Sequence, residues 1–358
     1  MIRMMSPAPP ITVVVRPRAA TAARLPALTE FVRNSASLVP LSKHPAWLDI
    51  LRTALGHETY AIEARVGEHT CGFLPLSLVS SLLFGKHLVS LPYLNTNGVI
   101  AASTDVQAQL ISRAVTLADE LGAKHLELRH ETPVAHPELN AAMTTKVHMR
   151  LALPDTAEEL WKGFDPKVRN QVRKGEKHNF RVTWGGEELL EAFYDVLCHN
   201  MRDLGSPVYG RQLFRDILAT FPDDAEICLV ADGDKPAAAA LLLHGWGVTE
   251  VPTASAKKEY NPACVNMLMY WKLLERTAER GQRVFDFGRS TTEGNTFKFK
   301  KQWGAKPHPA TWQYCTKDGQ VGNMRPENPR YQLAIRVWQR LPVAVTRVFG
   351  PVIVRGIP

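Results

Sequence analysis

The sequence predicts a mixed α/β protein, with mixed sheets, whose architecture is repeated along the chain. Its 358 residues are 45% hydrophobic, which is enough to form a sizeable core. A similar order of elements recurs at an offset of about 160 residues. Each copy reads as helix, strand hairpin, strand, helix and strand, so a helix crosses between neighbouring strands.

The first copy begins with a helix that carries Trp47 and Leu51. The segments TCGFLPLSLV and HLVSLPYLNTNGVI follow as strands, LISRAVTLADELG as a helix, and AKHLELRH as the last strand. Gly122 stands at the predicted end of this helix, as expected for a C-terminal cap.

The second copy repeats this order, starting from a helix with Phe214 and Leu218. Its later segments are ICLVADGDKPAAAALLLHG, VTEVPTASAKKEYN, MLMYWKLLERTAERG and QRVFDFGRS. Along VFDF the side chains alternate, so Asp286 and Gly288 face away from the two phenylalanines. The methionines, Tyr270 and Trp271 of NMLMYW are predicted to pack in the core, with Asn266 as the N-cap of their helix.

These patterns divide the chain into five predicted segments. They are an N-terminal tail with a first strand (1–40), a first domain (41–155), a basic connecting segment (156–180), a second domain (181–320) and a basic amphipathic tail (321–358). The connecting segment contains PKVRNQVRKGEKHNF, which predicts a short helix. Its Arg169, Arg173 and Lys174 either form a solvated face or contact the phosphates of a nucleic acid.

Charge and cysteine content limit the possible partners and compartment. A net charge of +8 and a pI near 9.2 favour nucleic acid, phosphorylated small molecules or an acidic membrane surface as partners. The five cysteines are far apart and odd in number, which predicts neither disulfides nor a zinc site and indicates a reducing, cytoplasmic compartment. The apolar run 11–15 is too short for a signal peptide, and no stretch is long enough to span a bilayer.

Several common catalytic motifs are absent from the sequence. There is no G-x-S-x-G, H-E-x-x-H, GxxxxGK[ST] or GxGxxG pattern, which disfavours hydrolase, zincin, P-loop and dinucleotide-binding functions. In HLELRHETPVAH a strand would place His125 and Glu127 on one face and His130 on the other. We therefore predict no metal site and interpret these histidines as surface or loop residues.

Six segments together resemble one protein family. PKVRNQVRKGEKHNF, HNMRDLGSPVYGRQLF, EVPTASAKKEYN, NMLMYWKLLE, FDFGRST and FKFKKQWGA are similar to FemAB-like proteins associated with exosortase (PEP-CTERM) systems. These are a branch of the FemAB and BioF2-like acetyltransferase superfamily. The resemblance implies two tandem GNAT-like domains, in agreement with the internal repeat.

The resemblance also implies a function. FemAB relatives transfer an aminoacyl group from aminoacyl-tRNA, and GNAT relatives an acyl group from acyl-CoA, to an amine. The expected acceptor is an amine of a cell-envelope or exopolysaccharide precursor, either a phosphorylated small molecule or a lipid-linked saccharide. No tightly bound cofactor is expected, and because the usual [QR]xxGx[GA] loop is not evident, the donor stays open between acyl-CoA and tRNA. The alternative is a non-catalytic module that binds a phosphorylated saccharide.

Transfer of an acyl group to an amine needs a base that frees the nucleophile and groups that position both substrates. Asp286 is one candidate base, or else a strand-end carboxylate paired with Arg289. Glu259 is the other, on a loop with Tyr260 and Asn261, or else part of a plain turn. Further candidate substrate contacts, each with a purely structural alternative, are Arg289, Ser290 and Tyr209.

The segment FKFKKQWG is predicted to be a short helix that Asn295 or Thr296 begins and Gly304 ends, with Phe299 and Trp303 as its buried pair. The consecutive Lys300 and Lys301 do not fit the alternation of a strand. FemAB relatives carry a comparable phenylalanine-lysine pair whose lysine lies beside the substrate phosphates. The resemblance therefore implies that Lys300 binds phosphate, with Lys301 as a second contact.

The C-terminal tail is basic and amphipathic. Four apolar residues share a helical stripe: Leu333, Val337, Trp338 and Leu341. Four arginines add positive charge: Arg336, Arg340, Arg347 and Arg355. Such a helix either docks on its own domain or lies on the inner face of a membrane. The sequence does not indicate an oligomeric state.

Overall fold

The computed structural model describes residues 10–16, 18–81, 85–319 and 329–357. The predicted loose tail before residue 10 and the start of the predicted C-terminal tail, 321–328, lie outside these ranges. No helix within them combines the length and apolar character that crossing a membrane requires.

The first half of the chain contains the predicted first strand and the elements of the first repeat. In chain order they are β1 (Ile11–Arg16), α1 (Arg18–Arg33), α2 (Trp47–Leu55), β2 (Glu58–Val66), β3 (His69–Ser81), β4 (Gly85–Val89), β5 (Ile100–Ala101), α3 (Thr104–Glu120), β6 (His125–His130), β7 (Ala141–Met143) and β8 (Lys146–Ala152).

The second half contains the predicted connecting helix and the second repeat. Its elements are α4 (Ala157–Gly163), α5 (Pro166–Glu176), β9 (Arg181–Gly185), α6 (Leu190–Leu204), α7 (Arg211–Thr220), β10 (Ala225–Asp232), β11 (Lys235–His244), β12 (Val248–Ala256), α8 (Val265–Glu279), β13 (Val284–Thr291), α9 (Asn295–Gln302), β14 (Lys306–Pro309) and β15 (Thr311–Thr316). Two helices, α10 (Pro329–Trp338) and α11 (Val343–Val354), follow.

The fold is a tandem arrangement of two mixed sheets, as predicted. One sheet has the order β1-β2-β3-β4-β6-β15-β7, with β5 alongside β3, and the other has the order β14-β8-β13-β12-β11-β10-β9. Each contains one parallel pair, β4 with β6 and β12 with β13. The two glycines matched in the repeat, Gly122 and Gly281, both adopt positive φ just after their helices.

The halves exchange strands. β8, which follows the first repeat in sequence, pairs with β13 in the second sheet, and β15 inserts between β6 and β7 of the first. A shared core also joins the halves, since Trp47 and Phe73 of the first half cluster with Phe193 and Phe214 of the second. Each sheet therefore draws on both predicted domain segments.

Most residues predicted to lie in the core are buried. Three other predictions need correction. Met267, Met269 and Trp271 are buried as predicted, but α8 begins at Val265, so Asn266 is not its N-cap. The prediction of surface or loop histidines was wrong for His130, which is 5% exposed on β6 and bonded through its ring to the Gln313 side chain. The third correction concerns α9.

Helix α9 exists where FKFKKQWG predicted it and ends before Gly304 as predicted, at φ +86°, but its start and its buried face differ from the prediction. Its N-cap is Gly294, and Asn295 is the first helical residue. Trp303 is fully buried, whereas Phe297 rather than Phe299 is the second buried ring. Phe299 is half-buried and packs edge-on against Tyr270. Lys300 lies on the same buried side, one turn after Phe297.

Candidate active site

The candidate site lies where β12 and β13 separate. These parallel strands pair at only three positions, the last being Glu250 with Asp286. Beyond it, β13 has an irregular register against β8, and Gly288 adopts φ +78°. A cavity of about 20 Å³ opens at this point, room for one amine or water-sized group. Its lining is Tyr93, Leu94, Asn95, His148, Leu243, Glu250, Val251, Pro252, Asp286 and Gly288.

The wall contributed by the first half is conformationally strained. Leu91 and Tyr93, which are not glycines, adopt φ of +59° and +74°. Such conformations cost about 1–3 kcal/mol each and persist where the surrounding structure holds them. Tyr93 is held by the edge of the Tyr209 ring, 5.0 Å away between centroids. The predicted substrate contact Tyr209 therefore supports the cavity wall, and the Tyr194 hydroxyl donates to its carbonyl at 3.0 Å.

Asp286 lies where the alternation of VFDF placed it, on the polar face and 2% exposed. Both of its carboxylate oxygens already accept hydrogen bonds. Arg150 Nε donates to Oδ2 and the Gly288 amide to Oδ1, each at 2.7 Å. The suggested pairing with Arg289 was wrong, because Arg150 of the exchanged strand β8 takes that place and also binds Glu131 through both guanidinium nitrogens at 2.8 Å.

Glu250 is a second carboxylate at the same point and was missed by the sequence interpretation. The backbone amide of Ser42 donates to its Oε2 at 2.8 Å. Burial, and then the nearby Asp286, raise the pKa of Glu250 to about 7. A carboxyl group with that pKa can accept a proton near neutral pH, as a general base must. In the sequence, Glu250 stands out only as the one acidic residue of the strand VTEVPTASA. Its position beside Asp286 depends on strand register, which the sequence does not show.

His148 forms another part of the cavity lining. It is 1% exposed, and burial lowers its pKa, which favours the neutral imidazole. Its Nδ1 lies 3.9 Å from Asp286 Oδ2. Its Nε2 is buried and meets no hydrogen-bond partner among the described residues. A buried polar atom without a partner is uncommon in folded proteins and marks a place where a ligand group can bind.

Lys300 lies against the separated part of β13 and is 8% exposed. Its ammonium donates to the carbonyls of Gly288 and Arg289, at 3.0 and 3.2 Å. Burial lowers its pKa to about 8. Lys300 therefore supports the backbone that forms one side of the cavity, while the neighbouring Lys301 is exposed.

Arg289 and Ser290 follow on the same strand. The Arg289 guanidinium stacks on the Trp312 ring, 3.4 Å from its centroid. Burial and then the nearby Arg129 lower the pKa of Arg289 to about 9, which indicates an unfavourable environment for its positive charge. Within the described ranges no carboxylate lies within ion-pair distance of Arg289, and the buried Ser290 hydroxyl has no hydrogen-bond partner. An anion at this position would relieve the unfavourable charge.

The remaining predicted residues lie outside the cavity lining. Glu259 and Asn261 are exposed on the 3-10 turn Lys258–Ala263, which connects β12 to α8. Tyr260 of the same turn is half-buried, with its ring 6.0 Å from that of Phe180. The structure therefore does not bring Glu259 together with Asp286.

The basic helix α5 packs on α8. Val168, Val172 and Gly175 form its buried side, and a Cβ built on Gly175 would lie 2.8 Å from Leu268 Cβ. Arg173 and Lys174 are exposed, whereas Arg169 is half-buried. This confirms the predicted helix and leaves two of the three basic side chains in solvent beside α8.

The two mixed sheets, each with one parallel strand pair, form a tandem GNAT fold, as the following matches show. Residues 163–301 match the family model described as the acetyltransferase (GNAT) domain. Comparison with curated proteins gave no match.

Three solved structures are similar to this chain in fold. A FemX crystal structure has 14% identity and a TM-score of 0.62 over 86% of this chain and 97% of that one. The C-terminal domain of a putative lysylphosphatidylglycerol synthetase from Agrobacterium fabrum has 11% identity and a TM-score of 0.55 over 84% and 94% of the two chains. A tandem GNAT protein from the clavulanic acid biosynthesis pathway has 11% identity and a TM-score of 0.53 over 88% and 100%.

Proposed function

We propose that this protein is a FemAB-like N-acyltransferase that transfers an acyl or aminoacyl group to an amine. The observation that carries the proposal is the pair Glu250 and Asp286, held at the point where β12 and β13 separate and a cavity opens. The match of residues 163–301 to an acetyltransferase domain supports the same reaction class.

In the proposed reaction Glu250 removes a proton from the acceptor ammonium group. The free amine attacks the carbonyl carbon of the donor and forms the new C–N bond. The tetrahedral intermediate then breaks its bond to the donor sulfur or ribose oxygen, and the proton that the attacking nitrogen loses protonates this leaving group. Arg150 holds Asp286 at 2.7 Å, so Glu250, rather than Asp286, has an oxygen free to accept the proton.

The donor is either acyl-CoA or aminoacyl-tRNA. The GNAT domain match supports acyl-CoA. The exposed Arg173 and Lys174 of α5 would suit the phosphates of tRNA, whose binding would fall steeply with salt. Titration with coenzyme A and with tRNA at two salt concentrations separates these donors, because tight, salt-sensitive tRNA binding contradicts the acyl-CoA version.

The acceptor in this proposal is an amino-bearing, phosphorylated precursor of the cell envelope or of an exopolysaccharide. The unpaired Arg289 guanidinium and the Ser290 hydroxyl support an anionic acceptor. The link to exosortase systems and the cytoplasmic location rest on the sequence resemblance and composition.

The experiment mixes purified protein with acetyl-CoA and amino-sugar nucleotides and measures release of free thiol. Transfer by the native chain and its loss in Glu250→Gln are expected. Glu259→Gln is the matched control, because this exposed carboxylate lies outside the cavity. Binding of the saccharide without transfer from any donor would instead favour the non-catalytic module.

Lys300→Ala tests whether Lys300 is needed for transfer, as the resemblance implies. It is expected to remove most of the transfer rate, because the Gly288 and Arg289 carbonyls lose their donor at the cavity wall. Circular dichroism and thermal unfolding check that the variant is folded. A folded variant with unchanged turnover would contradict the assignment.

A further inference from the structure

The C-terminal helices carry most of the exposed large apolar side chains of the described residues. Six such side chains on α10 and α11 are between 42% and 71% exposed. We call them the apolar face: Leu333, Val337, Val348, Phe349, Val352 and Ile353. Elsewhere in the described ranges only Leu38 and Leu204 belong to this group. Soluble proteins rarely expose such a concentration of apolar side chains without a partner.

The orientation of α11 is fixed by its opposite side. Thr346, Gly350 and Val354 are buried at four-residue spacing, which defines one helical face. A Cβ built on Gly350 would lie 2.9 Å from both Cγ1 and the backbone nitrogen of Val208. The helix therefore sits directly on the backbone of the second half, and its apolar side chains point outward.

Helix α10 and the turn after it are held by hydrogen bonds to the end of α6. The Gln339 side chain donates to the Asp203 carbonyl at 3.1 Å. Arg202 donates to the Leu341 carbonyl at 3.2 Å. The predicted apolar stripe is divided by this arrangement, since Trp338 and Leu341 are half-buried while Leu333 and Val337 face solvent.

The charged residues within the two C-terminal helices are all basic. Residues 329–357 contain five arginines and no aspartate or glutamate. Arg336, Arg340 and Arg355 are exposed. Arg347 is half-buried and pairs with Glu191 of α6 at 3.2 Å. A second copy of this face would bring arginines against arginines, whereas an anionic surface complements them.

We infer that the apolar face and its arginines dock on an anionic lipid bilayer. The helices contain 10 and 12 residues, too few to cross a bilayer, so they lie in its interface. Phe349 and its aliphatic neighbours enter the acyl boundary, and the arginines contact the headgroups. The site would then act beside the membrane without being embedded in it.

The test is co-sedimentation of the full chain with vesicles of phosphatidylcholine alone and of phosphatidylcholine with about one third phosphatidylglycerol. The native chain is expected to bind the anionic vesicles at least tenfold more tightly, and less so at high salt. Phe349→Ser with Val352→Ser should lower binding about tenfold or more. Leu38→Ser is the matched control, because Leu38 is 39% exposed but lies far from these helices in sequence.

Arg336→Gln with Arg340→Gln provides a second variant with no change in the apolar face. It should weaken binding to the anionic vesicles by roughly fivefold per arginine and leave the weak binding to phosphatidylcholine unchanged. Circular dichroism confirms folding of each variant. Equal binding by the native chain and both variants would overturn the inference. A dimer in light scattering that Phe349→Ser with Val352→Ser disperses would overturn it in favour of a second copy.

Discussion

Each half of the molecule contains a parallel strand pair that separates, but only one of the two gaps is open. In the first half β4 and β6 pair as far as Val89 with Glu127. Two residues further along β6, the Asn97 amide donates to the Arg129 carbonyl at 3.0 Å, and the Arg129 side chain donates to the Leu94 carbonyl at 2.6 Å and to Glu127 at 2.7 Å. Protein atoms therefore occupy this gap.

In the second half the corresponding positions hold different chemistry. Glu250 pairs with Asp286, and Gly288 stands where the first half has Arg129. Gly288 has no side chain, and the Glu250 and Asp286 carboxylates line a cavity at this gap. The first half contributes a wall of that cavity, from Tyr93 to Asn95, held in place by Arg129. The same strand arrangement is therefore open in the second half and bridged in the first, which supplies part of the cavity wall.

The largest expected effect is on the rate of acyl transfer, from a substitution at the open gap. Glu250→Gln removes the proton acceptor while keeping its shape, so the rate of acyl transfer should fall about a thousandfold. The native rate should rise with pH through about 7, as Glu250 loses its proton, and the variant should lack this dependence. An unchanged rate and pH profile would place the base elsewhere.

A substitution at the filled gap of the first half should change the free energy of unfolding. Arg129→Met leaves the buried Glu127 without its partner and removes the donor to Leu94, so it should lower the free energy of unfolding by about 3 kcal/mol. Urea unfolding measures the change. Adding Glu127→Gln to this variant should recover part of the loss. A single variant as stable as the native chain would show that the filling is not structural.

Gly288→Ala tests the cost of the positive φ at the second gap. The nearest atom to an added Cβ is Asn95 Nδ2 at 3.6 Å, an ordinary contact, but φ +78° is unfavourable for alanine. A loss of about 1–2 kcal/mol in urea unfolding is expected from the backbone alone. Gly122→Ala, at φ +66° and with no neighbour within 4 Å, is the matched control for a similar backbone conformation away from the cavity.

The smallest expected effect is on stability. The difference in stability between Glu250→Gln and the native chain should depend on pH. The native fold raises the pKa of Glu250 from its ordinary 4.5 to about 7, so the folded state holds this proton more tightly than the unfolded chain. The free energy of unfolding of the native chain therefore falls as pH rises from 4.5 to 7, because Glu250 ionises less readily in the folded state. Allowing for partial solvent screening, the variant should be more stable by about 1 kcal/mol at pH 8 and by nothing below pH 4.5.

Local patterns in the sequence predicted much of the fold. The repeat and the helical spacing located the main elements, and alternation in VFDF placed Asp286 on its polar face. The partner of Asp286 could not be found in this way. Arg150 reaches it only because β8 joins the second sheet, and no local pattern encodes that exchange.

Glu250 was missed for a related reason. Its pKa depends on burial and on a carboxylate 36 positions further along the chain, brought alongside by strand register. Exposed charged residues such as Glu259 look equally reactive in a sequence, because sequence does not show which of them is desolvated.

The strand exchange also governs when this protein can fold during synthesis. β7 pairs in its sheet through β15, which leaves the ribosome only after nearly the whole second half has been made. β8 is made early but must wait for β13. Domains usually fold as units, N-terminal first, as they emerge. Here neither sheet is complete until the other half exists, so the edges of β6 and β8 lack their strand partners until late in translation.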